Sequence, residues 1–241
     1  MSAFSPKTMA SLLRADALNV SRDPMLMIGI VMSMLPVPLI VVFGPLAETA
    51  ASETFGITGM ARLLGALAVL MPGAMLGWVT GFMLLDDRDE AVLMVLETTP
   101  IGRNGIIAYR LVVTIVLTVI VSVSIGFFVL PALLWTTPFL MAIIAAGHAV
   151  LSALFLLAFA ANKVEGLALT KLINLALLAP LAALFAPPWR YLAAIVPAFW
   201  IGEMTGISPT ALSPLPATVI SLATTVLFVM FLLRCLDRRA D

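Results

Sequence analysis

Apolar stretches of bilayer length recur along this chain, and they constrain its fold more than any short motif does. A transmembrane helix needs about 20 predominantly apolar residues. Residues 25–44, 62–85, 111–135, 137–161 and 216–233 each read as one crossing. Composition supports taking them literally: 62% of residues are hydrophobic, 11% are charged and mean hydropathy is +1.15. Soluble domains carry about 25% charged residues. The chain reads as an all-α integral membrane protein with a single transmembrane domain over 1–241.

The region 167–204 is harder to read, because Pro180, Pro187, Pro188 and Pro197 divide it and Arg190 interrupts it. Residues 167–186 can cross once. The following "RYLAAIVPAFWIGEM" rises only about 21 Å as a helix, short of a hydrocarbon core of about 30 Å. Residues 187–204 are therefore expected to be re-entrant or interfacial, which gives six spans.

Charge distribution tests that number. With six spans and a cytoplasmic N-terminus, Lys7, Arg14, Arg22, Arg88, Arg103, Arg110, Lys163, Lys171, Arg234, Arg238 and Arg239 fall inside, and Arg62 and Arg190 fall outside. Eleven against two follows the positive-inside rule. A seventh span would move Arg234, Arg238 and Arg239 outside and weaken the asymmetry. The expectation is a multi-pass plasma-membrane protein with both termini cytoplasmic.

Residues 1–24 precede the first span. In "SPKTMASLLRADALNVSRDP", Met9, Leu12, Leu13, Ala17 and Val20 recur at helical spacing, as in an amphipathic helix lying in the inner interface; a frayed tail is the plainer alternative. The first apolar run lasts about twice the length of a signal-peptide core of about 7 to 15 residues, so it reads as a span that stays. Trp135, Trp189, Tyr191 and Trp200 fall near the expected outer boundary, where interfacial aromatics gather.

Several chemistries lack their residues. Net charge is zero, which points to no nucleic-acid partner. One cysteine, Cys235, and one histidine, His148, exclude an internal disulfide and the usual Cys/His metal sites. There is no HExxH, no GxSxG and no pair of aspartates within a span, so the chain is not expected to be an enzyme. No lysine follows glycine, so the phosphate-binding loop is absent and any ATP and magnesium belong to another chain. Away from the span ends only His148 is titratable, which disfavours an ion-coupled carrier. It reads either as a ligand-binding group or, more commonly, as a neutral histidine hydrogen-bonded between helices. Pro36, Pro38 and Pro72 can kink the first two spans, which suggests a substrate path there or merely shaped packing.

The densest charge is in "LLDDRDEAVLMVLETTPIGRNGIIAYR", residues 84–110. Asp86, Asp87, Asp89 and Glu90 are expected at or beyond the inner boundary, because an aspartate at a span's centre costs about 2.5–3.5 kcal/mol. Asp87 and Glu90 have capping-box spacing, and Pro100 disfavours helix at Thr99. Between them, Ala91, Val92, Val95 and Leu96 share one face and Asp86, Glu90 and Glu97 another, the pattern of a short amphipathic helix. A calcium loop needs oxygens around a glycine turn, which this pattern lacks. A solvated cap and a docking helix for a cytosolic partner remain.

The segment "DDRDEAVLMVLETTPIGRNGIIAYRLV" resembles the cytoplasmic element of type-2 ABC exporter permeases. "RADALNVSRDPML" is similar to the family's amphipathic helix and lead into the first span, and "ANKVEGLALTK" to its short turn after the fourth. The resemblance implies a membrane subunit that pairs with a second permease subunit and two ABC ATPase subunits. It also implies that Asp86, Asp87, Glu90, Leu93, Leu96, Glu97, Thr99 and Pro100 form the coupling helix docking on the ATPase. Asn162, Lys163, Glu165 and Gly166 would make the second cytoplasmic contact. An apolar path fits a hydrophobic or amphiphilic cargo. The competing classes are a non-transporting membrane scaffold and an ion-coupled carrier.

Overall fold

The computed structural model describes residues 6–90 and 102–240, which form helices and turns with no strand among them. Six helical segments are long and apolar enough to cross a membrane: Pro24–Phe55, Met60–Asp89, Gly102–Val129, Thr137–Phe159, Lys163–Leu184 and Pro214–Arg238, hereafter spans 1 to 6. A 17-residue helix, Pro6–Arg22, precedes them. Leu236, near the end of span 6, packs into the same apolar cluster as Val20 and Met25. The beginning and end of the described chain therefore lie at one end of the bundle, as an even number of crossings requires.

Spans 2 and 4 form the centre: 72% and 67% of their most apolar windows are buried, against 17% for spans 1 and 6. Small residues decide this. Gly73, Gly77 and Gly81 recur every fourth position and so share one helix face. A Cβ at Gly73 would lie 2.2 Å from the Ala145 carbonyl oxygen, and one at Gly77 would lie 2.4 Å from that of Ala149. The two backbones touch along this seam, because lipid gives no hydrophobic drive between helices and close packing must supply the association. Hydrogen bonds flank it: Ser122 Oγ donates to the Val69 carbonyl at 2.8 Å, and the Thr80 and Thr114 hydroxyls pair.

Helix ends depart from the ends of the apolar runs. Span 1 continues past residue 44 to Phe55, where Gly56 turns the chain at φ 65°. Its terminal turns are polar, and both Glu48 carboxylate oxygens accept N–H groups from the start of the next helix, Gly59 at 2.6 Å and Ala61 at 2.8 Å. Span 3 begins at Gly102 and ends at Val129, well before 135, since Pro131 cannot extend the hydrogen-bond ladder. Span 5 begins at Lys163, so most of the expected "ANKVEGLALTK" turn is helix. Lys171 is consequently two turns inside that helix, exposed, where its long stem can carry the ammonium toward the interface.

After span 5 the chain folds back into the bundle. The end of span 5 is a 3-10 helix, Ala179–Leu184, and a second one, Trp189–Ile195, leads to the short helix Phe199–Glu203, whose five residues are all buried. Phe199 and Ile201 pack with Val69 of span 2, Ile144 of span 4 and Ala217 of span 6. Trp135 and Trp189 are exposed as interfacial aromatics, but Trp200 is buried and donates its indole N–H to the Ala194 carbonyl. A fully buried Arg190 pairs with Glu203 at 3.3 Å and donates to the Thr210 carbonyl at 2.9 Å. That pair lets the fold-back hold two charges away from water.

Candidate functional site

The polar end of the bundle is built around two cations, each set between two aspartates. Asp23 stands just before Pro24, and its Oδ1 caps span 1 by accepting the N–H groups of Met25 at 2.8 Å and Leu26 at 3.3 Å. Its Oδ2 is left for Lys163 Nζ, at 2.7 Å, and the same ammonium lies 2.9 Å from Asp86 Oδ2. Arg110 of span 3 repeats the arrangement, with Nη1 2.6 Å from Asp87 Oδ2 and Nη2 3.1 Å from Asp16 Oδ1. The neighbouring Asp86 and Asp87 thus join the N-terminal helix and the near ends of spans 1, 2, 3 and 5.

Electrostatics explains why both cations are needed. The aspartates end the helix of span 2, where the backbone dipole already presents partial negative charge. Arg88, beside them, turns instead to the end of span 4, donating from Nη2 to the Ala160 carbonyl at 2.8 Å and from Nη1 to that of Leu157 at 3.4 Å. Such carbonyls have no partner within their own helix, and an arginine is a common cap for them. The Lys163 ammonium, helped by the two backbone N–H donors against the opposing effect of burial, holds the Asp23 carboxyl below its ordinary value.

This arrangement corrects part of the sequence reading. The helix of span 2 continues through Asp89, and the Glu90 N–H donates to the Asp86 carbonyl at 2.9 Å. Asp86 and Asp87 therefore close one helix rather than cap a new one, and their carboxylates are engaged inside the chain. Glu90 is exposed. Leu93, Leu96, Glu97, Thr99 and Pro100 lie outside the described residues.

The second expected contact splits in the same way. Asn162 Oδ1 accepts the Glu165 N–H at 3.0 Å and Glu165 Oε2 accepts the Ala161 N–H at 2.7 Å, a reciprocal cap close to the capping box. Gly166 faces inward, where a Cβ would meet Leu85 Cδ1 at 2.9 Å. Between them Val164 is 80% exposed, an apolar side chain at the polar end that sequence reasoning missed. It also missed Asp16, Asp23 and Arg110 as partners in the junction. The lead through Asp23 and Pro24 into the first span was visible, but pairing across 94 and 140 positions was not.

The four residues expected near a substrate path do not converge. Pro36 breaks span 1 beside Leu35 and lines an apolar cavity of about 530 Å³ with Met32 and Leu39, Met71 of span 2 and Leu178 of span 5. Pro38 is exposed nearby in the chain, and Pro72 is buried inside span 2. His148 of span 4 lines a separate cavity of about 350 Å³, shared with spans 5 and 6 and the Pro197 turn. Its Nε2 is buried without a hydrogen-bond partner, so the interhelical hydrogen bond expected of a structural histidine is missing at that atom. Among the described residues no group of three or more His, Cys, Asp or Glu is placed to hold a metal ion.

Comparison with known proteins assigns this architecture. A family model described as "Fluoroquinolones export permease protein Rv2686c-like" matches residues 16–233. The chain belongs to that family of export permeases. Two similar proteins, both named fluoroquinolones export permease proteins, come from Mycobacterium tuberculosis strains CDC 1551 / Oshkosh (MT2760) and ATCC 25618 / H37Rv (Rv2686c). Each is 26% identical to the permease over 211 residues, covering 84% of its chain and 83% of the relative's. No solved structure matches. The match begins at Asp16 of the Arg110 triad and runs through both cavities.

Proposed function

We propose that this permease is the membrane-spanning half of an ATP-driven exporter in the plasma membrane, with its ionic junction and both termini on the cytoplasmic side. Two ABC ATPase subunits hold the ATP and magnesium, and a second permease subunit completes the path. The observation that carries this reading is the junction itself. The N-terminal helix and the near ends of four spans are bound through Asp86 and Asp87, immediately before the acidic segment ending at Pro100. A push on that segment would reach several spans together. Glu90, Leu93, Leu96, Glu97 and Thr99 serve as the docking face, and exposed Val164 beside Glu165 as a second contact.

The energy source follows from charge placement. Apart from His148, the described ionisable groups in or beside the spans gather toward the two ends of the bundle, which leaves no relay for an ion gradient. The names of the relatives favour a fluoroquinolone-like cargo, a planar aromatic drug of amphiphilic character. The test is reconstitution with an ATP-binding-cassette protein that co-purifies with it. ATP-dependent fluoroquinolone efflux is expected, abolished by Glu97→Arg while the membrane subunit stays folded. Efflux driven by an ion gradient without ATP would overturn the reading.

A further inference from the structure

We propose that the His148 cavity is the site where cargo enters the permease from the bilayer, and that it takes one planar aromatic molecule carrying a single hydrogen-bonding group. The proposal rests on the exporter reading above and adds to it a place and a chemistry. It also moves the substrate path away from the prolines of spans 1 and 2.

The lining defines the chemistry. Four rings, Phe155 and Phe159 of span 4 and Phe228 and Phe231 of span 6, stand on the wall, with Phe155 and Phe159 centroids 5.0 Å apart. Aromatic rings accept a further flat ring by stacking or edge contact. Among the described residues no charged side chain lines the cavity. The Ser152 hydroxyl donates its hydrogen to the His148 carbonyl at 2.8 Å, and the Pro197 carbonyl accepts from Ser221 at 2.9 Å. What remains is His148, 4% exposed, with Nε2 unpartnered. Leaving a buried polar group unpaired is costly, and sites of this kind commonly meet that cost when a ligand supplies the missing partner.

Position defines the route. His148 lies near the middle of span 4, and Phe231 and Leu172 at the cavity wall are 54% and 56% exposed on the outer surface of the bundle. A molecule already dissolved in the hydrocarbon reaches the cavity laterally, without crossing water. The volume of about 350 Å³ is at the lower end of small-molecule sites, which suits one compact ring system. The other cavity is lined by aliphatic and methionine side chains with Pro36 and Asn174 and has no aromatic ring.

The test uses the full-length permease in phosphatidylcholine vesicles, photolabelled with an aryl-azide fluoroquinolone and mapped by mass spectrometry. Label is expected on peptides containing residues 148–159 and 228–232. Ala176→Trp, which fills the cavity, should reduce it at least tenfold. His148→Leu should reduce it several-fold and His148→Gln should restore most of it. Leu39→Trp in the other cavity should change nothing. Label concentrated on residues 32–40 and 64–75, label spread evenly over all lipid-facing helices, or undiminished label in a folded Ala176→Trp variant would each overturn the assignment. Fluoroquinolone efflux from wild type with the ATPase separates the two ideas. Efflux with label elsewhere removes the pocket alone. Label in the cavity without efflux removes the cargo reading and leaves the binding site.

Discussion

Arg110 and Lys163 each stand between two aspartates from different helices, so neither can be removed without leaving like charges together. Breaking a buried pair costs roughly 3–5 kcal/mol, and with the Arg110, Asp87 and Asp16 side chains 10%, 13% and 22% exposed we expect about 2–3 kcal/mol for Arg110→Met. Adding Asp87→Leu should recover part of that loss, and a double-mutant cycle on reversible unfolding in mixed micelles measures it. Asp23 adds a pH signature. Its folded value is depressed below the ordinary 3.8, chiefly by Lys163, so its contribution to stability is complete above about pH 4 and is lost as pH falls through the folded value. Thermal unfolding of wild type should therefore approach that of Asp23→Asn between pH 4 and pH 2.5. A constant gap between the two across that window would show that the carboxylate contributes nothing as an ion.

Between whole helices, the seam of spans 2 and 4 carries the fold. Gly77→Leu would drive a side chain into the Ala149 carbonyl and Ser152, and overpacking of this kind costs about 1–3 kcal/mol or more where backbone opposes it. Gly44 of span 1 supplies the contrast, because an added Cβ there meets Ile40 at 3.5 Å, an ordinary contact. Gly44→Ala should leave the unfolding midpoint within about 0.5 kcal/mol of wild type or raise it slightly by helix propensity. Equal losses at the two glycines in the same micelle assay would remove the seam from its central place. The four-residue glycine spacing was legible in the sequence, but hydropathy gives it no weight, since glycine neither lengthens nor shortens an apolar run. For the same reason the polar turns of Glu48 and Asp86 were read as span ends, although a helix needs apolar residues only while it lies in hydrocarbon.

Taken as a whole, the molecule returns to the end from which it starts, and this can be checked without knowing its cargo. In a Cys235→Ser background, Ser11→Cys and Asp237→Cys should react with a membrane-impermeant maleimide from the same side of sealed vesicles, and Ser208→Cys from the other. Labelling of Ser11→Cys and Asp237→Cys from opposite sides would require an odd number of crossings. The fold-back of residues 185–203 is what keeps the count even. Its Pro187, Pro188 and Pro197 interrupt helix, and the buried Arg190–Glu203 pair holds the returning chain.

By itself the sequence determined the solvent this chain lives in, the six helices and the parity of their crossings, because bilayer thickness and charge placement are one-dimensional constraints readable along a chain. It also located the acidic segment, yet it ended span 2 at about Leu85 and read Asp87 with Glu90 as the cap of a new helix. Only tertiary structure showed Asp86 and Asp87 closing span 2 on Lys163 and Arg110, since the partners of a charge are chosen by distance in space. The same holds for His148. Its mid-span position was plain, but the phenylalanines that line its cavity come from span 4 itself and from span 6, about 70 residues further on, and only the packing of spans 4, 5 and 6 encloses the cavity.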